Sequence, residues 1–286
     1  MSRQAQRELP ALLADYPDRQ RLFTEIKSNL TEDEVRELAG AGFAMIQPGI
    51  ESLSDHVLQL MNKGNTAIRH IALLKYARIY GVRIVWNLLH RFPGETAADY
   101  EELAELLPLL THLDPPNGLN RLVYHKYSVY TEHPERYGLD LVPSSWYDFS
   151  SPDDEDYIRE SAYIFVDRAE RIEEKRRAAY GKVHAIVEEW KRLRISRVFP
   201  DRLEMRDHGD VIEILDLRKC RVKSRHELRG LTLRIYRLCR APMARSKMAA
   251  SLGCEDAVLE EQLKALRENK LIVEIGDEFL ALATDT

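Results

Sequence analysis

The sequence predicts an α/β protein: four βα units of an α/β barrel or open sheet, then a helical cover, then a module of three helices and a hairpin. Three observations predict it. Strand-like runs alternate with helical patterns over the first 130 or so residues. A charged stretch from about Asp154 to Arg197 keeps a helical pattern throughout. After Pro200 the character changes to short alternating arms and compact helical segments. Strands separated by helices of roughly ten or more residues join parallel sheets through right-handed crossovers. The units divide at 1–153, 154–199 and 200–286.

The first strand is "RLFTEIK", and "TEDEVRELAGAG" opens the first helix, with Thr31 and Glu34 at the spacing of a capping box and Gly40 and Gly42 as the stop. Strand "FAMIQPG" follows, then helical pieces "SDHVLQLMN" and "TAIRHIALLKYARIYG", in which Ile68, Ile71, Leu74 and Ala77 recur at helical spacing before Gly81. "VRIVWNLL" is apolar on both faces, as expected of a strand covered on both sides. The bend "RFPGE" leads to helix "TAADYEELAELLPLLTHL", and "LNRLVYHKYSVY" reads as the fourth strand. The charged stretch reads as two helices broken near Gly181, solvated over the sheet. His208-Gly209-Asp210 sits between two strand-like arms, a hairpin signal. Three helices and a hairpin around Gly276-Asp277 close the chain in the order of a winged helix-turn-helix module.

Composition narrows the function. A net charge of −5 argues against general affinity for nucleic acid. No apolar run approaches the roughly 18 residues that span a bilayer, and the polar N-terminus lacks the pattern of a signal peptide, so a cytoplasmic protein is expected. Cys220, Cys239 and Cys254 fit neither a disulfide framework nor a metal ligand set, and no metal site is expected. The acidic run Asp153–Asp156 has no glycine-bearing ligand loop and reads as a solvated helix start. Arg218 to Lys247 holds eleven Lys or Arg against one acid, Glu227. The helix after it begins with acids that would repel phosphate, so peptide or intramolecular contacts are expected there rather than DNA.

Ligands of parallel α/β folds bind outside the carboxyl ends of the strands, and three such junctions carry suitable residues. At the second strand, Glu51 offers a carboxylate for a ribose and Ser52 a hydroxyl; the alternative is a helix-capping pair. At the third, Phe92, Pro93, Gly94 and Glu95 let backbone approach a ligand or simply form a turn capped by Thr96. At the fourth, Lys126, Tyr127, Ser128 and Tyr130 offer a cation and three hydroxyls.

The segments "IQPGIESLSDHVLQLMNKG", "VWNLLHRFPGETAADY", "THLDPPNG" and "YHKYSVYTEHPERYGL" resemble the cobalamin-dependent radical S-adenosylmethionine (SAM) enzymes that mature ribosomally made peptides, and the C-methyltransferase group in particular. The resemblance runs from about Leu22 to "FLALAT". It implies an incomplete (β/α)6 barrel whose fourth and fifth strands carry the first two segments. It implies SAM, a [4Fe–4S] cluster and cobalamin as cofactors and a precursor peptide as substrate. Glu51 and Ser52 would lie at the SAM ribose and methionine parts, Phe92 to Glu95 along the adenosine, and Lys126 to Tyr130 on the substrate side at the sixth strand.

The family's CxxxCxxC cluster loop has no counterpart, since no cysteine precedes Cys220, and the cobalamin domain has none either. Arg91 stands where the family usually has Gly, and Lys126-Tyr127-Ser128-Val129 where it has an Arg-Phe-Ser-Pro-like segment. The chain is therefore expected to be the C-terminal portion of such a methyltransferase, working with a complementing N-terminal half. The alternative is a non-catalytic module that binds a peptide or partner.

Overall fold

The computed structural model describes Glu8 and residues 21–147, 155–195 and 201–285. Asp153, Asp154, the candidate boundaries at 153–154 and 199–200, and the polar N-terminal segment lie outside these residues. The chain is α/β, as its alternation predicts.

Strands β1 (Leu22–Ile26), β2 (Phe43–Pro48) and β3 (Arg83–Ile84) form a parallel sheet in that order. Helix α1 (Glu32–Gly40) joins the first two and begins with the capping box, Glu34 accepting from the Thr31 N–H at 2.8 Å. Helices α2 (Asp55–Leu60) and α3 (Ala67–Ile79) join the next two. Among the described residues β1 pairs with β2 alone, and Phe23 stands half exposed on it.

The run expected as one strand, "VRIVWNLL", is divided. Its first half pairs with β2, while its second half, β4 (Leu88–His90), pairs in parallel with β5 (Leu119–Arg121). The division falls at Trp86, whose indole is buried edge-on to Trp190 and donates to the Asp114 carbonyl at 3.0 Å. Burial alternates along the run, with Val82, Ile84, Trp86 and Leu88 buried and Arg83 exposed, so it is not covered equally on both faces, and its apolarity is silent about which neighbour each half pairs with.

The fourth expected strand also shortens. After β5 the chain enters β6 (Tyr124–His125), which belongs to a separate antiparallel sheet with β8 (Ile164–Asp167) and β7 (Leu141–Pro143), in the order β6-β8-β7. Tyr127 then adopts a positive φ of 66°, and Ser128 caps the short helix α5 (Val129–Glu132). A bulky residue in the left-handed region ends any strand, and propensity gives no warning of it.

The charged stretch differs as well. It holds α6 (Glu155–Ser161), strand β8 and one unbroken helix α7 (Glu174–Ile195), which passes straight through Gly181. Helix α7 packs along α4 (Ala97–Leu106) and buries Ala179, Tyr180, Val183, Val187 and Trp190. That apolar stripe outweighs the cost of about 1 kcal/mol for a glycine inside a helix. Only its outer face is solvated.

The C-terminal part begins with the expected hairpin, β9 (Leu203–Asp207) and β10 (Val211–Asp216), with Gly209 at its turn. Strand β11 (Arg225–Arg229) extends this sheet. Helices α8 (Gly230–Leu238), α9 (Arg245–Leu252) and α10 (Asp256–Glu268) follow, the two-residue strand β12 (Met243–Ala244) lying between the first two. The hairpin β13 (Ile272–Ile275) and β14 (Glu278–Ala281) comes next, and β15 (Thr284–Asp285) pairs with β9. Much of the basic run pairs within the protein, although Arg218 alone among its cations is buried. Arg218 pairs with Asp216, Arg237 with Asp207, Arg240 with Glu32 and Asp285, and Arg245 with Glu260.

One buried apolar cluster extends from Ile26 to Ala283 and unites the parallel strands, α7 and the C-terminal helices. Inside it Lys75 of α3 donates to the carbonyls of Arg240 at 2.6 Å and Ala281 at 2.8 Å. Burial, with a contribution from Arg240, lowers its ammonium to about 7. An unfolded lysine binds its proton up to an ordinary pKa of about 10.5, so between the two values the unfolded chain carries more protons. Stability is therefore expected to rise as pH goes from about 7 towards about 10. Lys75→Met should flatten that slope in urea titrations; an unchanged slope would rule the lysine out as its source.

Candidate functional site

The carboxyl ends of β2 and β4 meet. The Leu89 N–H donates to the Glu51 carbonyl at 2.9 Å, which sets the loop after β2 beside the loop after β4. Pro48-Gly49 makes the first bend, and a Cβ on Gly49 would come within 3.1 Å of Lys63 Nζ. Lys63 uses that space to reach the Glu51 carboxylate at 2.8 Å. About one third of the Glu51 side chain remains exposed. It is the accessible carboxylate at this junction.

Ser52 is placed differently. It is buried, its Oγ accepts from the Ser54 N–H at 3.1 Å, and its carbonyl lies 3.1 Å from His70 Nδ1. Burial brings His70 down to about 4, so its imidazole is neutral. Nδ1–H then donates to the Ser52 carbonyl, and Nε2 accepts from Ser28 at 3.0 Å. The helix cap is Ser54, whose Oγ accepts from the Val57 N–H and donates to Asp99 at 2.8 Å.

Asp99 joins the two motif loops. It is buried, receives the Thr96 N–H and hydroxyl at the start of α4, and meets His56 Nδ1 at 3.0 Å. Burial pushes its carboxyl up, but these hydrogen bonds outweigh it and hold the group below the usual range. The Thr96-x-x-Asp99 spacing is a capping signal in the sequence. The contact back to Ser54 and His56 is tertiary.

Glu95 is occupied within the protein. Its carboxylate is buried and accepts from the Arg91 N–H at 2.7 Å, the Phe92 N–H at 3.0 Å and the Tyr100 hydroxyl at 2.6 Å, and also from the Tyr180 hydroxyl of α7. Four donors leave it little capacity for a ligand. It clamps the Phe92–Gly94 turn to two helices. Phe92 is buried, and Gly94 stands at the surface with φ of 92°. A Cβ there would lie 3.1 Å from Leu60 Cδ2, so both conformation and space call for glycine. Gly94→Ala is expected to cost about 1–3 kcal/mol, read as a lowered urea midpoint. An unchanged midpoint would mean that the turn relaxes freely.

Arg91 has φ of 74° and pairs with Glu170 at 3.1 Å, a carboxylate it shares with Arg121. His90 packs against Tyr180 with its ring tilted by 56°, and burial, with Arg91 and Arg121, lowers its pKa to about 4. Lys126 donates to the Glu160 carbonyl, Tyr127 is exposed, and Ser128 caps α5. Tyr130 packs edge-on to Tyr124 and Tyr137, near enough for Glu51 to raise its pKa, after burial and Tyr137.

The sequence reading missed Lys63, Ser54, Asp99, Tyr100 and Tyr180, the residues that fix the expected ones in place. The thiols do not suit an iron–sulfur cluster: Cys239 is buried in the core, and Cys220 donates to the Pro108 carbonyl. Among the described residues no three His, Cys, Asp or Glu side chains converge as metal ligands, and no helix is long and apolar enough to cross a membrane.

Residues 3–107 match the family model described as the radical SAM superfamily, whose chemistry rests on SAM and a [4Fe–4S] cluster. No curated protein matches the chain. Among solved structures it is similar to the cobalamin-dependent S-adenosylmethionine radical enzyme OxsB with aqua-cobalamin bound, at 17% identity and TM-score 0.32 over 40% of this chain. The same enzyme with aqua-cobalamin and S-adenosylmethionine bound gives 14% identity and TM-score 0.31 over 56% of this chain. The chain spans 17% and 21% of those two chains. Coproporphyrinogen III oxidase (HemN) from Escherichia coli, a radical SAM enzyme, gives 13% identity and TM-score 0.38, covering 98% of this chain and 71% of that one.

Proposed function

We propose, taking residues 3–107 as a radical SAM segment, that the chain is the C-terminal portion of a cobalamin-dependent enzyme that C-methylates a ribosomally made peptide. The observation that carries this reading is the junction of its two motif loops. The Glu51 and Phe92–Glu95 segments, 40 or so residues apart, are tied together at the carboxyl ends of β2 and β4 by Leu89 and Asp99. There Glu51, with about one third of its side chain exposed, is the group suited to a ribose, and Gly94 gives backbone access. Ser52 and Glu95 act in this reading by holding the loops.

On the same reading the parallel strands are the last units of a (β/α)6 barrel and the C-terminal helices and hairpin a winged-helix-like module. That module is where a precursor peptide would be held. The thiols here do not fit the cluster, so cluster and cobalamin would come from a preceding or separate half. The same misfit favours, as a second reading, a module that binds a peptide or partner without catalysis.

Two measurements test this. The intact mass of the native protein in its own cells should lie near twice 33.2 kDa if the cluster and cobalamin domains precede this chain. A mass of 33.2 kDa would turn the search to a complementing polypeptide or to the binding role. In the assembled enzyme, Glu51→Ala should abolish measurable SAM binding in equilibrium dialysis while shifting stability by about 1 kcal/mol, since a solvent-accessible ion pair is worth little. Unaltered SAM affinity would remove Glu51 from the site.

A further inference from the structure

A cleft of about 500 Å³ opens on the opposite side of the parallel strands from Glu51. It lies at the amino ends of β3 and β5, where the chain passes Gly81–Arg83 and Asp114–Asn117, and between the carboxyl ends of α3 and α7. A space of that size suits a small organic ligand. Its floor is apolar at Val82 and Ile84, and its charged lining is Arg78, Arg83, Lys191, Arg194 and Asp114.

The charges do not cancel. Asp114 is occupied by Arg194, whose Nε and Nη2 donate to Oδ1 at 3.1 and 2.8 Å, and by the Ile84 N–H at 3.0 Å. Lys191 pairs with Glu188 at 2.8 Å. Arg78 and Arg83 form no ion pair with a carboxylate among the described residues; Asp114 and Glu204 are the acids whose charge Arg78 senses. The ends of α3 and α7 point their carbonyls this way, each worth roughly half a negative charge. Glu204 pairs with Arg202 at 3.6 Å, so two guanidinium groups without an ion pair stand against about one elementary negative charge from the two helix ends together and leave the cleft positive, on a chain whose net charge is −5. Neutralising helix ends would need only exposed cations. Arg78 instead is half-buried beside Arg194, and burial and that neighbour hold its guanidinium below the usual value. A bound anion relieves both penalties.

We infer that this cleft binds a small organic dianion, a phosphate ester or dicarboxylate, held by the Arg78 and Arg83 guanidinium groups with its body on Val82 and Ile84. Guanidinium forks match either oxyanion bidentately. The inference is independent of the radical SAM reading, since none of these residues belongs to the Glu51 junction.

Isothermal titration of the full chain at low ionic strength with phenyl phosphate, and separately with succinate, tests it. Saturable one-to-one binding of at least one probe is expected, and the probe preferred names the oxyanion. Arg78→Gln and Arg83→Gln should each weaken it about tenfold or more, while Arg229→Gln, on the distant strand β11, leaves it unchanged. Arg83 is exposed, so its variant keeps the fold even if Arg78→Gln lowers the melting temperature. Absence of saturable binding with both probes, or binding that survives both cleft substitutions, would overturn the inference.

Discussion

Arg218→Ala is expected to lower the unfolding free energy by about 3–5 kcal/mol, a large share of the roughly 5–15 kcal/mol that stabilises a domain. Arg218 and Asp216 are both fully buried. The guanidinium meets Asp216 through Nε at 3.0 Å and Nη2 at 2.7 Å. It also donates to the carbonyls of Leu109, at 2.6 Å, and Lys270, at 2.7 Å. One side chain thus ties the segment after α4 to the sheet of β10 and to the turn before β13. Truncation leaves a buried carboxylate without its cation and two carbonyls without a donor. Replacing both partners, as Asp216→Leu with Arg218→Met, should recover much of the loss, because the desolvation of two charges disappears together. Urea unfolding measures both variants. A loss below about 1 kcal/mol for the single change would contradict this account.

Glu95→Ala should be nearly as severe. Its carboxylate accepts two backbone N–H groups and two tyrosine hydroxyls, all in a buried setting. The Tyr100 hydroxyl can turn to the Leu89 carbonyl at 3.2 Å, so three donors lose their acceptor; at about 1 kcal/mol for each, the loss is on the order of 3 kcal/mol. Tyr180→Phe removes one donor and leaves the acceptor paired, so it should cost no more than about 1 kcal/mol. The contrast distinguishes an acceptor hub from a single hydrogen bond. Burial and then the adjacent Glu95 also push the Tyr100 hydroxyl well above its ordinary pKa, so it stays a donor at every physiological pH. If Glu95→Ala unfolded at the wild-type urea concentration, the clamp would have no energetic weight.

These two residues show how far the sequence alone carried the reading. Glu95 is recognisable from its Phe-Pro-Gly-Glu setting, and its place after β4 is as expected. Its four donors are not legible there, because Tyr180 lies 85 residues away, on a stretch that the sequence predicts as two helices broken near Gly181. Arg218 opens the basic run, for which the sequence predicts peptide or intramolecular contacts without naming a partner. Its burial depends on Asp216 next to it and on two carbonyls from distant turns. At the candidate site, Glu51 stayed accessible while Ser52 was absorbed into a turn with Ser54. The two are adjacent in sequence, and only the path of the loop separates their fates.

The sequence by itself determined the α/β class, the capped helices, the βα alternation and the hairpin at Gly209. Each of these is local: a period of apolar residues, a capping hydroxyl or a turn glycine acts within a few positions of itself. Tertiary structure alone decided where "VRIVWNLL" divides, that α7 runs through Gly181, and which carboxylate at the strand ends stays open. Those outcomes depend on pairing and burial between residues far apart in the chain. Their partners are supplied by the packed core, and no local pattern records them.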